Sequence, residues 1–356
     1  MLPRLPSLFL LALLPLAAVF LTGCNETTLT RPGGSQILYQ NPPTEVDILL
    51  VVDNSCSMQD EQNQLSEGFD RFVEYFEVAD VDYHIGVTTT DMEADRGVLS
   101  SAGGASFITP DTADPADVFR GNVQVGIEGW AWEKGLATAA HALSDDLAEA
   151  ENAGFLRDDA LLSVIFISDE EDASPYAVNS YINYFLNRKD SARRDAFNAS
   201  ALVGVDPDTL EPSACGQDSL SPNNGAAAAF RYSDVAVQTG GVLASICSED
   251  FSDIVSQMGL AASRLVSEFE LERRPRIDSI EMRLFIPGHP DEDDEGLLVP
   301  QEGDEDGNYP WEYIETVEGT VSEDEAAEPD QFLIRFTDAA SLPPIDTRMV
   351  IHYEYF

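Results

Sequence analysis

The stretch from Val46 to Met58, VDILLVVDNSCSM, constrains the fold of this chain more than any other. Its apolar run, Ile48 to Val52, has no polar face, which is typical of a central strand in a parallel sheet covered by helices on both sides. The run stops at Asp53, so the next loop begins just past the carboxyl end of the strand. In open α/β sheets, ligands bind at that edge.

A second buried run has the same ending. Residues Leu161 to Ser168, LLSVIFIS, are almost entirely apolar and are followed at once by Asp169. Since the carboxyl ends of parallel strands lie at one edge of the sheet, Asp53 and Asp169 are predicted to approach one ion from neighbouring loops. Glu170, Glu171 and Asp172 crowd the same rim. They are interpreted as solvated charges, with increased cation affinity as the alternative.

The pattern around these runs predicts an α/β domain over residues 45–272. Apolar residues from Leu65 to Phe76 recur every three or four positions, which predicts one helix over about 59–78 that packs on the sheet. The predicted architecture is a doubly wound, mostly parallel sheet flanked by helices. Residues 173–232 have mixed character and are interpreted as an insertion in this domain.

From Arg276 onward the sequence changes from helical to strand periodicity. Apolar and polar residues alternate from Ile280 to Leu284, from Phe332 to Phe336 and from Met349 to Tyr353. Residues 276–356 are therefore predicted to form a small β-sandwich-like domain after the α/β domain.

The loop after the first strand carries a recognisable signature. Asp53-Asn54-Ser55-Cys56-Ser57 resembles the D-x-S-x-S motif of the metal-ion-dependent adhesion site in von Willebrand factor type A domains. The resemblance implies that Asp53, Ser55, Ser57 and Asp169 hold Mg²⁺, or Ca²⁺ or Mn²⁺, and that an acidic side chain of a partner protein fills the remaining position. Carboxylates and hydroxyls are the hard oxygen donors that such ions prefer. The alternative is a serine-rich helix N-cap without a metal.

One element of the family's site is missing. A threonine is expected before the third helix, but its position falls near Trp130, which cannot ligate a metal. Glu128 or Glu133 could replace it, and Thr90 or Asp91 could contribute from the end of the second strand. The sequence leaves these alternatives open.

Residues 1–23 are interpreted as a lipoprotein signal peptide and excluded from the fold. Arg4 is followed by an apolar segment, and Leu21-Thr22-Gly23-Cys24 resembles a bacterial lipobox with Cys24 as the lipidated residue. Acyl chains anchor a protein to a bilayer, and Asn25 favours the outer membrane of a bacterial envelope by resemblance to bacterial sorting rules. Residues 24–44, rich in Thr, Pro and Gly, are interpreted as a tether.

Three cysteines remain after Cys24 is lipidated. We favour a disulfide between Cys215 and Cys247, with Cys56 free in the metal loop, although the sequence allows the other pairings.

Charge and motifs limit the remaining function classes. The formal net charge of −46 disfavours nucleic acid and anionic membrane surfaces as partners, because both would be repelled. No H-E-x-x-H, G-x-S-x-G or G-x-x-x-x-G-K motif is present, so we do not expect an enzyme. A metal-dependent phosphohydrolase and a structural lipoprotein with a degenerate site are the alternatives. Asp304 to Asn308 begins a calcium-loop-like pattern, but Tyr309 stands where such a loop requires glycine.

Overall fold

The computed structural model describes residues 32–40, 45–78, 81–130, 132–189, 196–216, 225–289, 295–300, 311–316, 331–336, 341–344 and 346–356. The predicted lipidation site Cys24 and the calcium-like pattern that begins at Asp304 lie outside these residues. No helix within the described ranges is both long enough and apolar enough to cross a membrane.

Helices and strands alternate through the first two thirds of the described chain, and strands dominate the rest. The helices are α1 Gln59–Glu67, α2 Phe69–Val78, α3 Pro115–Val123, α4 Gly135–Ala142, α5 Asp145–Ala148, α6 Val178–Arg188, α7 Phe230–Thr239 and α8 Ser252–Ser263, with a short 3-10 helix at Ile277–Ser279. The strands are β1 Gly33–Tyr39, β2 Glu45–Val52, β3 Asp82–Thr89, β4 Phe107–Ile108, β5 Leu161–Ser168, β6 Phe197–Val203, β7 Leu243–Ser245, β8 Glu268–Glu270, β9 Glu281–Phe285, β10 Leu297–Val299, β11 Trp311–Thr316, β12 Gln331–Phe336 and β13 Arg348–Glu354.

The central sheet has six strands in the order β4-β3-β2-β5-β6-β7, and all neighbours pair in parallel except β3 and β4. Strand β2 supplies both faces of the sheet. Ile48 and Leu50 join the core that contains α2 and α8, whereas Leu49 and Val51 join the core that contains α4, α6 and α7. Successive side chains of a strand point to opposite faces, so a run without polar residues requires helices on both sides. The predicted α/β class is confirmed.

The helix predicted over 59–78 is divided into α1 and α2 at Gly68. A Cβ atom at Gly68 would lie 3.0 Å from a methyl carbon of Val255 in α8, so a larger residue would have to displace that side chain by a few tenths of an ångström. Helix periodicity continues across the break, which is why the sequence pattern concealed it.

Strand β6 lies inside the segment 173–232 that the sequence analysis interpreted as an insertion. It pairs in parallel with β5 and β7 and is buried along its whole length. Asn198 and Ser200 interrupt its apolar pattern, but the Asn198 amide donates to the Ala261 carbonyl oxygen and Ser200 Oγ accepts the Val242 N–H. Because neighbouring backbone groups pair with the Asn198 amide nitrogen and the Ser200 hydroxyl, a buried strand can carry these side chains.

Two antiparallel sheets form the β-rich part, in the orders β1-β13-β9-β10 and β11-β12-β8. Strand β1 pairs with β13 along all seven residues. The prediction of a tether over residues 24–44 is therefore wrong for Gly33–Tyr39. The segment's Gly and Pro content indicated an irregular chain, but the backbone of β13 supplies the hydrogen bonds that make Gly33–Tyr39 a strand.

Candidate functional site

Asp53 lies at the carboxyl end of β2, beside β5. Its backbone N–H donates to the Ile167 carbonyl oxygen at 2.9 Å, and its side chain is fully buried. One carboxylate oxygen accepts the Ser55 N–H at 2.7 Å and the other accepts the Ser168 hydroxyl at 2.6 Å. The end of the strand and the first turn of the loop thus fix the direction of this carboxylate.

The other three predicted ligands lie around Asp53. The Ser55 and Ser57 hydroxyl oxygens are 3.2 Å apart. Asp169, immediately after β5, is buried, and this burial raises the pKa of its carboxyl group, while hydrogen bonds from the Ser57 and Ser55 hydroxyls partly offset the rise. The structure therefore brings together Asp53, Ser55, Ser57 and Asp169 at one edge of the sheet.

Trp130, where the family's threonine was expected, points away from this cluster. Its side chain is 56% exposed, and its backbone N–H donates to the Asp91 carboxylate at 3.3 Å. Glu128 is exposed as well. Glu133 is only 1% exposed, and one of its carboxylate oxygens accepts the hydroxyl hydrogen of the fully buried Thr90. Of the alternatives left open by the sequence, Thr90 and Glu133 are the two that lie in contact with each other.

Burial is the main cause of the unusual electrostatics of these carboxyl groups. It raises the pKa of Asp53 to about 6, and the charge of Asp169 acts in the same direction. Burial and then the charge of Asp53 raise the pKa of Glu133 to about 8. Burial followed by the charges of Asp53 and Asp169 raises the pKa of Glu170 to about 7. Without a cation, the site therefore resists holding all of its negative charges at once.

Several buried oxygen atoms of this site have no hydrogen-bond partner, namely Asp169 Oδ1, Glu133 Oε1 and Glu61 Oε2. Within the described part of the chain, no Lys or Arg forms an ion pair with Asp53, Glu133 or Asp169. Two basic residues of the neighbouring loops are used elsewhere, since Lys134 pairs with Glu93 at 3.2 Å and Arg231 with Asp172 at 2.8 Å. Buried polar groups normally find partners.

Carboxylate and hydroxyl oxygens with unsatisfied acceptor positions suit a hard cation. Among the described residues, no three His, Cys, Asp or Glu side chains converge as a metal cluster. The donor set of Asp53 and Asp169 with the Ser55 and Ser57 hydroxyls is therefore a mixed one. Two carboxylates and two neutral oxygens fit a divalent ion that keeps water or a further ligand in its remaining positions.

Asp172 plays a structural part that the sequence interpretation missed. It was interpreted as a solvated charge, but it is buried and paired with Arg231. One of its oxygens accepts the Leu136 N–H at 3.2 Å and the Ser174 hydroxyl at 2.7 Å, and Ser174 Oγ in turn accepts the Ala137 N–H. The loop that begins at Asp169 thus caps α4 and fixes the segment that carries Glu133. The D-x-S spacing of Asp172 and Ser174 was the available signal.

A polar cavity of about 230 Å³ adjoins the cluster. Ser57, Glu61 and Asp169 line one side, and residues near the disulfide, including Gly225 and Cys247, line the other. Cys215 and Cys247 are joined, with their Cα atoms 6.0 Å apart, as the sequence analysis favoured. Cys56 is a free, exposed thiol. The disulfide fixes the wall that faces the candidate cation site.

No protein-family model matches the chain, and the search of curated proteins found no match. Similar solved structures include proximal thread matrix protein 1 from the mussel byssus, at 12% identity and a TM-score of 0.37, over 66% of this chain and 51% of that one. A von Willebrand factor type A protein from Catenulispora acidiphila matches at 12% identity and a TM-score of 0.35, over 92% of this chain and 66% of that one. The pilus adhesin SpaC from Lactobacillus rhamnosus GG matches at 13% identity and a TM-score of 0.33, over 91% of this chain and 41% of that one.

The chain thus spans about half the length of the mussel protein and about two fifths of the pilus adhesin. All three TM-scores lie below 0.5, so the fold assignment rests on the strands, helices and register of this chain.

Proposed function

We propose that this chain is a lipid-anchored protein of a bacterial outer membrane that binds a divalent cation and, through it, a protein partner. One observation carries the proposal: Asp53, Ser55, Ser57 and Asp169 meet at the carboxyl edge of a parallel sheet, and the two buried carboxylates have no counter-ion among the residues that the structure describes. The lipid anchor at Cys24 and the outer-membrane location are expectations from the lipobox resemblance.

Mg²⁺ is the ion that we favour, with Ca²⁺ and Mn²⁺ as alternatives, because short serine and aspartate side chains together with water suit an oxygen octahedron. Asp53 and Asp169 would contribute charge, and Ser55 and Ser57 would contribute neutral oxygens. A bound ion would supply a Lewis-acidic position that an acidic side chain of a partner protein can occupy. Removal of the ion by a chelator would then release the partner.

The surroundings of the site support a macromolecular partner. Two of the three tryptophans, Trp130 and Trp132, are 56% and 66% exposed, and both belong to the loop that leads to Glu133. Tryptophan is enriched among the residues that dominate protein–protein binding energy, and an exposed pair at one loop is costly unless it is used. The strongly negative charge of the chain continues to disfavour nucleic acid.

The phosphohydrolase alternative lacks a feature that such chemistry needs. Phosphoryl transfer depends on cationic groups that stabilise the developing negative charge. Lys134, the nearest candidate, pairs with Glu93, and the described carboxylates around Asp53 would repel a phosphate ester. The other alternative is a structural protein whose site is inert. Such a protein would not bind a cation, whereas our proposal requires cation binding.

Isothermal titration of the full-length protein in detergent tests the proposal. Mg²⁺, Ca²⁺ and Mn²⁺ are titrated into the wild type, into Asp53→Ala and into Asp70→Ala, which removes an exposed carboxylate from α2. We expect saturable binding to the wild type and to Asp70→Ala, and none to Asp53→Ala. Equal heats for the wild type and Asp53→Ala would show that the site is inert. Chelator-sensitive cross-linking in isolated envelopes then tests whether a protein partner binds.

A further inference from the structure

Like Asp53 and Asp169, Glu133 differs from those buried carboxylates of the described residues that have basic partners. Asp47 accepts hydrogen bonds from Arg157 and Lys189, at 2.8 Å and 3.0 Å, and Asp172 accepts one from Arg231. Glu133 is as buried as these residues, yet within the described residues it has no basic partner, and its Oε1 atom accepts no hydrogen bond. A buried carboxylate without a basic partner needs to bind a cation or to take up a proton, and the surrounding side chains supply neither.

The backbone holds Glu133 between the loops that follow β3 and β5. Its carbonyl oxygen accepts the Ala173 N–H at 2.7 Å, and the N–H of the next residue, Lys134, donates to the Thr90 carbonyl oxygen at 3.1 Å. Hydrogen bonds from both neighbouring loops therefore fix this short segment. The carboxylate has little freedom to turn towards solvent.

Thr90 stands beside Asp53 in the sheet. Val52 pairs with Thr89 in the β2–β3 register, and the Thr90 N–H donates to the Val52 carbonyl oxygen at 3.3 Å. Asp53 and Thr90 are thus the first residues after two adjacent parallel strands. The Thr90 hydroxyl donates its hydrogen to Glu133, which leaves the lone pairs of the Thr90 oxygen available to a cation.

The other two residues considered for this role have surroundings that differ from those of Thr90 and Glu133. Glu128 is exposed. Asp91 already accepts N–H groups from Glu93 and Ala94 on one oxygen and from Trp130 on the other. Glu128 is therefore not buried beside Asp53, and both Asp91 oxygens have backbone partners, whereas Glu133 Oε1 has none.

We propose that Thr90 supplies the neutral oxygen that the family's threonine would supply, and that Glu133 is the positioning residue that orients it and adds negative charge. This inference rests on the proposed function. Because no three carboxylates converge in the described residues, Glu133 acts through the Thr90 hydroxyl or through water. The site would thus be completed from the neighbouring strand.

Three substitutions in the full-length protein test this assignment by cation titration. Thr90→Val keeps the shape of the side chain and removes the oxygen, Thr90→Ser keeps the hydroxyl, and Glu133→Gln keeps an acceptor for Thr90 and removes the charge. Loss of an outer partner of a metal site weakens metal affinity by about 10–100-fold. We expect losses of this size for Thr90→Val and Glu133→Gln, and wild-type affinity for Thr90→Ser.

Glu128→Gln is the matched control. It removes a carboxylate from the loop that leads to Glu133, and the Glu128 side chain is exposed. It should bind the cation like the wild type. The melting temperature in chelator gives the second measurement: Glu133→Gln should melt no lower than the wild type, because its hydrogen bond survives, even though its cation affinity falls. A purely structural role would leave the affinity of Glu133→Gln unchanged.

The outcomes distinguish this inference from the proposed function. Wild-type affinity in both Thr90→Val and Glu133→Gln, together with no binding by Asp53→Ala, would overturn the assignment of Thr90 and Glu133 alone. Absence of cation binding by the wild type would overturn both.

Discussion

Replacing Asp53 by asparagine should stabilise the cation-free protein. Burial raises the pKa of Asp53 from 3.8 to about 6, and the charge of Asp169 adds to this effect. Each pKa unit corresponds to about 1.4 kcal/mol, so keeping Asp53 ionised in the folded protein costs about 3 kcal/mol at pH 7.5. Asparagine has nearly the same shape and removes that cost.

Part of the gain is lost through hydrogen bonding. The asparagine oxygen can still accept the Ser55 N–H, but the bond from the Ser168 hydroxyl must be reversed or lost, which offsets about 1 kcal/mol. In chelator, Asp53→Asn should therefore exceed the wild type by about 2 kcal/mol in free energy of unfolding. With Mg²⁺ at 100 times its Kd, the wild type should gain about 2.7 kcal/mol and the variant nothing, so the order reverses.

Equilibrium urea unfolding followed by circular dichroism measures both effects. Each protein is unfolded once in chelator and once in Mg²⁺, with Asp70→Asn on α2 as an exposed control that should behave like the wild type. The reasoning from buried charge would be refuted if Asp53→Asn were less stable than the wild type in chelator. It would also be refuted if Mg²⁺ raised the free energy of unfolding of Asp53→Asn as much as that of the wild type.

Three further predictions concern the rest of the structure. The pKa values of Asp53 (about 6) and Glu133 (about 8) are raised in the folded protein, so these groups contribute stability that is complete below pH 4 and is lost as the pH rises through 6 to 8. The urea concentration at the midpoint of unfolding in chelator should therefore decrease between pH 5 and 8.5. With Mg²⁺ present, the decrease should be smaller. Asp47→Ala breaks a buried ion-pair network and should cost about 3–5 kcal/mol by urea unfolding. It should leave cation affinity unchanged, because Asp47 lies about 20 Å along β2 from Asp53. Reducing the Cys215–Cys247 disulfide, which spans 32 residues, should lower the free energy of unfolding by about 3–4 kcal/mol, measured with and without reductant.

The parts of the site that the sequence predicted are those encoded locally. Strands β2 and β5 are apolar on both faces and end in aspartate, so their position in the sheet and the edge at which Asp53 and Asp169 meet follow from strand geometry. Ser55 and Ser57 follow from the same loop. Each of these predictions used only the residues of one strand and of the loop directly after it.

The parts that the sequence did not predict depend on contacts between distant segments. Strand β6 was missed because Asn198 and Ser200 look solvent-exposed until their backbone partners are known. Asp172 was assigned to the solvated rim because its partner, Arg231, lies 59 residues away. Thr90 and Glu133 were two of four open alternatives, and only their hydrogen bond selected them.

Strand β1 has a consequence for where the protein can act. If Cys24 carries the lipid, the chain has only nine residues in which to reach Gly33, where the sheet begins, and that span covers at most about 30 Å. A free segment running to Glu45 would reach more than twice as far. With that anchor, the pairing of β1 with β13 would shorten the tether and keep the described domains near the bilayer. A protein partner would then have to bind close to the membrane surface.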